Sequence, residues 1–117
     1  MNNLLIPQEA NMQEAIDLIL ANKLRTVFVS DAQGRILGCL TEGDVLRAVI
    51  GGAYKKSNVS AFMNTNFIFQ NTPLNDFELI SWFLQHGSLV LPILDSNRNL
   101  IEFQFPLKAI SRIVHQI

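Results

Sequence analysis

The 117-residue chain has the composition of one compact globular protein with a generous core and a thinly charged surface. Hydrophobic residues make up 49% and charged residues 16%, and the formal net charge of −1 argues against nucleic-acid binding, which needs a basic face. The single cysteine, Cys39, cannot form an internal disulfide, and no apolar run approaches the roughly 20 residues that cross a bilayer. The N-terminus carries no signal-peptide pattern, so we expect a cytoplasmic protein.

The first half of the chain has the pattern of a βαββα unit. A short strand is expected near Leu5–Pro7, before an apolar helical stripe. A helix is expected over residues 12–20, and a strand over 26–29. A turn at 31–34 leads into a second strand at 35–40, and a second helix follows at 45–50. Gly51 and Gly52 end the last helix.

The same pattern returns 64 residues later, the distance from Asp31 to Asp95. Apolar and acidic positions of the first helix recur, since Glu14, Ile16 and Leu20 correspond to Glu78, Ile80 and Leu84. Neither half alone can bury its apolar faces, so the sequence predicts two similar units packed together about a pseudo-two-fold axis. We place the repeats at 1–56 and 57–117, with a short helix near Val59–Met63 and a three-stranded sheet in each unit.

One strand–helix junction carries chemistry, the segment from Thr41 to Asp44. A hydroxyl and a carboxylate beside the exposed N–H groups of a helix start can hold an anion or a sugar hydroxyl. The same spacing also fits a capping box, in which Thr41 caps the helix and Asp44 lies at its third position. The spacing alone leaves both interpretations open.

These residues resemble a known family. Gly38-x-x-Thr41-x-x-Asp44 at the second strand–helix junction, Leu91-Pro92-Ile93-Leu94-Asp95 and Val59-x-x-x-Met63 are similar to motifs of a tandem pair of cystathionine β-synthase (CBS) domains, the Bateman module. The likeness covers essentially the whole chain and implies an α/β (α+β) fold with small mixed sheets. The segment Thr41–Ala48 is most similar to CBS pairs that precede bacterial sugar-phosphate nucleotidyltransferase domains.

The resemblance implies an adenine nucleotide (AMP, ADP or ATP) as regulatory ligand in the first repeat. It implies that Thr41 contacts the phosphate or ribose and that Asp44 accepts hydrogen bonds from the ribose hydroxyls, a task suited to a carboxylate. Arg25 and Arg47 are expected near phosphates, although both also suit a solvated surface. With the apolar residues expected beside the adenine, the predicted site is Ile6, Leu24, Arg25, Thr26, Thr41, Asp44 and Arg47.

The second repeat is expected to have lost this site. Phe105 stands at the position of Thr41 and Lys108 at that of Asp44. A phenyl ring cannot bond a phosphate, and an ammonium group cannot accept hydrogen bonds from a ribose. We therefore expect at most one adenosyl ligand per chain.

The sequence gives no sign of an enzyme. It has no nucleotide-binding glycine loop, no nucleophile–base pair and no clustered metal ligands. The prediction is a regulatory module that forms a homodimer, requires no cofactor and modulates an attached or partner enzyme. A nucleotidyltransferase domain following in the full-length protein is one candidate for that enzyme. The alternative is a structural dimerisation module that binds no ligand.

Overall fold

The computed structural model describes residues 3–117 and divides into two compact units. The first unit ends at Phe67, and the second covers Ile68–Ile117. Helices and short strands alternate in both units, which confirms the predicted α/β fold class.

The first unit is a three-stranded sheet with two helices. Strand β1 (Leu5–Pro7) pairs in parallel with β2 (Thr26–Ser30), which pairs antiparallel with β3 (Ile36–Thr41). Helix α1 (Met12–Asn22) connects β1 to β2, and α2 (Glu42–Ile50) follows β3 directly. Because β2 is the central strand, four of its five residues are buried, whereas the helices bury only one stripe each.

The second unit repeats this order without a complete first strand. Helix α3 (Asp76–His86) precedes the antiparallel strands β4 (Leu91–Leu94) and β5 (Leu100–Gln104), and α4 (Pro106–His115) ends the unit. The 64-residue offset holds for the register, since the pair Val27–Leu40 corresponds to Leu91–Gln104. The predicted repeat is thereby confirmed at the level of strand pairing.

The three-stranded sheet predicted for the second unit is wrong by one strand. Its first strand is reduced to an isolated parallel bridge between Gln70 and Ile93. In the first unit the Phe28 N–H donates to Leu4 O at 2.7 Å, whereas the residue at the position of Phe28 is Pro92. Proline has no N–H, so this ladder bond cannot form in the second unit.

The connector between the repeats packs on the first unit. Residues Val59–Ala61 form the expected short helix, of 3₁₀ type, and Val59 is fully buried in the first core. Further on, the backbone of Asn64 pairs with Cys39 on β3 through hydrogen bonds of 2.8 and 3.0 Å. Residues 57–67 thus find their partners in the first unit, and the chain divides into packing units between residues 67 and 68. The repeat bounds of 1–56 and 57–117 stay a prediction.

Two classes of feature are absent from residues 3–117. No helix there combines the length and apolar character that spanning a bilayer requires. Nor does that part of the chain group three His, Cys, Asp or Glu side chains as metal ligands.

Candidate functional site

The turn from β3 into α2, which we call the Thr41–Asp44 junction, is a complete capping box. Thr41 is the N-cap of α2, and its Oγ1 accepts a hydrogen bond from the Asp44 N–H at 3.2 Å. In return Oδ2 of Asp44 accepts from the Thr41 N–H at 3.0 Å. Capping, one of the two interpretations of this motif, is confirmed, and it explains why the helix begins here.

The carboxylate of Asp44 has further partners in its own chain. The Thr41 hydroxyl donates to Oδ2 at 3.0 Å, and Nη2 of Arg47, one turn along α2, donates to Oδ1 at 2.8 Å. The Asp44 side chain is recessed, with 18% exposed, whereas 73% of the Arg47 side chain is exposed. A negative charge therefore lies at the base of the junction and an exposed cation at its rim.

The start of β2 lies against this junction. Thr26 is paired with Thr41 across the sheet, and its buried hydroxyl donates to Leu40 O at 3.3 Å. The first N–H of α2, that of Glu42, donates to Arg25 O at 2.8 Å. The loop before β2 and the first turn of α2 are thus joined by backbone hydrogen bonds.

The loop from Asn22 to Arg25 has an unusual backbone that the sequence did not reveal. Lys23 and Arg25 adopt left-handed conformations, with φ of 61° and 65°, although neither is glycine. The Asn22 amide holds the loop by donating to Asn3 O and Thr26 O, both at 2.9 Å, and accepting from Leu24 N. Such strain is concentrated at functional sites, but no glycine marks these positions.

The structure brings six of the seven predicted site residues to one end of the first sheet: Leu24, Arg25, Thr26, Thr41, Asp44 and Arg47. Ile6 is not among them. It pairs with Val29, three residues along β2 from Thr26, or roughly 10 Å away, and is buried in the first core. The alternation of β1 turns this side chain inward, and its placement beside an adenine ring stays a prediction.

Cys39, on the strand that leads to the junction, has an unreactive thiol. Burial raises the pKa of its thiol to about 12, with a smaller contribution in the same direction from the negative charge of Asp44. The thiol therefore stays protonated at neutral pH, and Cys39 serves as a small core residue.

The corresponding junction of the second unit has different chemistry. Phe105 is the N-cap of α4 and makes no side-chain capping hydrogen bond, while Pro106 occupies the first turn. The Lys108 ammonium lies over the Phe105 ring, 4.7 Å from its centroid. These side chains line a cavity of about 160 Å³ together with Glu102, Phe103, Gln104 and Arg112. The acceptor that Asp44 supplies in the first unit is replaced by a cation here.

Comparison with known proteins agrees with this architecture. Residues 2–51 match the family model for the CBS domain. CBSX2, a chloroplastic CBS domain-containing protein of Arabidopsis thaliana, is 38% identical over 47 residues. That segment is 40% of this chain and 20% of the plant protein.

Solved structures extend the likeness to both units. CBSX2 in complex with AMP superposes with a TM-score of 0.75 and 17% identity, over 96% of this chain and 87% of that one. A CBS domain pair/ACT domain protein of Thermotoga maritima superposes with a TM-score of 0.75 and 17% identity, over 97% of this chain and 89% of that one. The cytosolic domain of the Mg²⁺ channel MgtE in complex with ATP superposes with a TM-score of 0.70 and 16% identity, over 94% of this chain and 44% of that one. The chain therefore has the fold of a tandem CBS-domain pair, and the family match lies in its first unit.

Proposed function

We propose that the first unit binds an adenine nucleotide (AMP, ADP or ATP) at the Thr41–Asp44 junction. The observation that carries the proposal is the recessed Asp44 carboxylate, held beside Thr41 where the strained loop before β2 meets the first turn of α2. The AMP complex of CBSX2 and the ATP complex of MgtE support the ligand class.

Each polar group at the junction has a role in this proposal. Asp44 accepts hydrogen bonds from the ribose hydroxyls, because two adjacent donors suit its two oxygens. Thr41 contacts the phosphate or the ribose, and Arg25 and Arg47 supply positive charge for the phosphates. Leu24 and Thr26, at the start of β2, are the proposed neighbours of the adenine ring. Ile6, whose side chain is buried in the first core, remains a proposed neighbour of the adenine ring.

The proposed role is regulatory, and no catalysis is assigned to this chain. A ligand shifts a conformational equilibrium only through its different affinities for the two states. We propose that the nucleotide acts in this way on an attached or partner enzyme in the cytoplasm. The similarity of Thr41–Ala48 to pairs that precede nucleotidyltransferase domains makes that enzyme class the first candidate.

We also propose that the module pairs with a second copy of itself through its helices. A groove of about 300 Å³ between α1 and α2 is apolar along most of its length, and 71% of Leu20, which lines it, is exposed. Leu84, at the equivalent position of α3, is 78% exposed. Apolar helix faces repeated in both units suit a self-complementary interface.

Calorimetric titration of AMP, ADP and ATP tests the nucleotide site. We expect one site per chain, since Lys108 cannot take over the function of Asp44. Asp44→Asn should weaken binding about 10- to 100-fold, because hydrogen bonds to a charged acceptor are lost.

Glu14→Gln is the matched control for that substitution. It makes the same acid-to-amide change at the third position of α1, in another capping box of the first unit. This variant should bind like the wild type. Two equivalent sites per chain, or equal effects of the two substitutions, would contradict the proposal.

A structural dimerisation module is the second candidate function. The completed capping box favours it, because capping alone accounts for Thr41 and Asp44. Thermal denaturation distinguishes the two, since a ligand at 100 times its dissociation constant adds about 2.7 kcal/mol to the free energy of unfolding. A melting temperature unchanged by all three nucleotides and adenosine would support the structural module.

A further inference from the structure

The Asp44 carboxylate already accepts three hydrogen bonds from its own chain. Oδ2 accepts from the N–H and the hydroxyl of Thr41, and Oδ1 accepts from Arg47. A carboxylate offers about four acceptor positions, so one remains. A ribose that donates from both hydroxyls therefore needs a position that one of the present donors occupies.

Arg47 is the donor that can leave most easily. The Thr41 N–H is backbone, and losing its bond to Asp44 would undo the cap of α2. The Arg47 side chain is largely exposed, so water solvates the guanidinium when it leaves Asp44, which lowers the cost of breaking this ion pair. Partner exchange at Arg47 leaves the helix start intact.

The guanidinium already lies against the first turn of α2. A β-carbon built on Gly43 would be 3.3 Å from Nη1 and 3.4 Å from Nη2 of Arg47. Glycine at position 43 thus leaves room for the guanidinium beside the helix end that attracts anions. A phosphate there would be within reach of the same side chain once it leaves Asp44.

We propose that Arg47 exchanges partners when nucleotide binds, moving from Asp44 to the phosphate, and that this exchange selects nucleotides over nucleosides. This inference rests on the proposed nucleotide site and assigns Arg47 a specificity role within it. A nucleoside displaces the ion pair and offers no replacement, whereas a nucleotide replaces it with a guanidinium–phosphate contact. The exchange is confined to the first unit, since the second has Lys108 and Ser111 at these positions.

Titration of adenosine and AMP into wild type and Arg47→Ala tests the exchange. We expect Arg47→Ala to bind adenosine about two- to fivefold more tightly, because no ion pair is left to displace. The same variant should bind AMP about tenfold more weakly, because the phosphate loses a charge-assisted contact. Arg47→Lys, which keeps the charge, should recover part of the AMP affinity.

Arg35→Ala provides the control. It removes the same charge from an ion pair with Asp31, in which the arginine is likewise exposed, at the opposite end of the β2–β3 hairpin. Its affinities for both ligands should stay within about twofold of wild type, as expected for a rim charge far from the contact.

The decisive result is that Arg47→Ala raises the affinity for adenosine and lowers the affinity for AMP. If Arg47→Ala changes both affinities by one factor, or changes neither, the exchange is refuted while nucleotide binding by the wild type still stands. If the wild type binds none of adenosine, AMP, ADP and ATP, the nucleotide site itself fails and the exchange fails with it.

Discussion

At the scale of single residues, Gly38, the first residue of the Gly38-x-x-Thr41-x-x-Asp44 motif, has a packing role. A β-carbon on Gly38 would lie 2.8 Å from Sδ of Met63 and 2.9 Å from the backbone oxygen of Asn64. These residues belong to the connector that pairs with Cys39. Gly38 therefore lets the connector approach β3 closely, and Glu102 in the second unit does not offer the same space.

Gly38→Ala should destabilise the protein by about 1–3 kcal/mol, the usual cost of overpacking. The connector backbone must shift to accept the new methyl group, because one of the two clashing groups is the backbone carbonyl of Asn64. Denaturation in urea measures the loss. Gly51→Ala is the control, since its β-carbon would have no neighbour closer than 3.4 Å, and should change stability by less than about 0.5 kcal/mol. Equal effects would show that Gly38 is not constrained by the connector.

At the scale of elements, the start of the first helix and the hairpin turn of each unit are repeated, whereas the start of the second helix is not. Helices α1 and α3 begin with the same capping box, Asn11 with Glu14 and Asn75 with Glu78. The hairpin turns contain Asp31 and Asp95 at equivalent positions. The cap of α2 by Thr41 and Asp44 has no counterpart in the second unit, since Phe105 at the start of α4 makes no side-chain capping hydrogen bond. The first cap and the turn of each unit are therefore repeated, and the second cap is not.

The β4–β5 hairpin should show a dependence on pH through Asp95. The hydrogen bond from the Asn99 N–H holds the pKa of this carboxyl below its ordinary value, against an opposing effect of burial. A lowered pKa in the folded state stabilises the protein above the unfolded pKa, and this contribution is lost as pH falls through the folded pKa.

Asp95→Asn is therefore expected to lower stability at neutral pH and to lose its effect in acid. Urea denaturation of wild type and variant between pH 7 and about pH 2 measures the difference, a range that spans the ordinary carboxyl pKa. A difference independent of pH would show that the charge of Asp95 does not stabilise the hairpin.

At the scale of the whole molecule, exposed apolar side chains recur at matched positions of helices in the two units. Leu46 and Ile50 on α2 have exposed counterparts in Ile110 and Val114 on α4. Solvent exposure of large apolar residues at matched positions is costly unless another surface covers them. This repetition is the structural argument for the proposed pairing of two copies.

Leu20→Lys should weaken the proposed dimer about tenfold or more, because a charge would be buried at the interface. Sedimentation velocity over a range of protein concentrations measures the shift to monomer. Ile101→Lys is the control, since Ile101 is also exposed but lies on β5, away from the helices. A wild type that stays monomeric at every concentration, or equal effects of the two substitutions, would exclude pairing through these helices.

The sequence by itself determined the repeat, the elements and the capping motif. Hydrophobic periodicity, Gly34 in the first turn and the spacing of Thr41 and Asp44 are local properties, and they appear in the structure at the expected positions. Even the missing first strand of the second unit has a local cause, in Pro92.

Only the tertiary structure decided how distant segments meet. It placed Ile6 in the core, attached residues 57–67 to the first unit and used Asn22 to hold a left-handed loop beside the site. These features depend on contacts between residues far apart in the chain, and a pattern read along the chain cannot specify them. The residues of the proposed Asp44 site therefore follow a motif that is visible in the sequence, whereas the neighbours that surround them are set by packing.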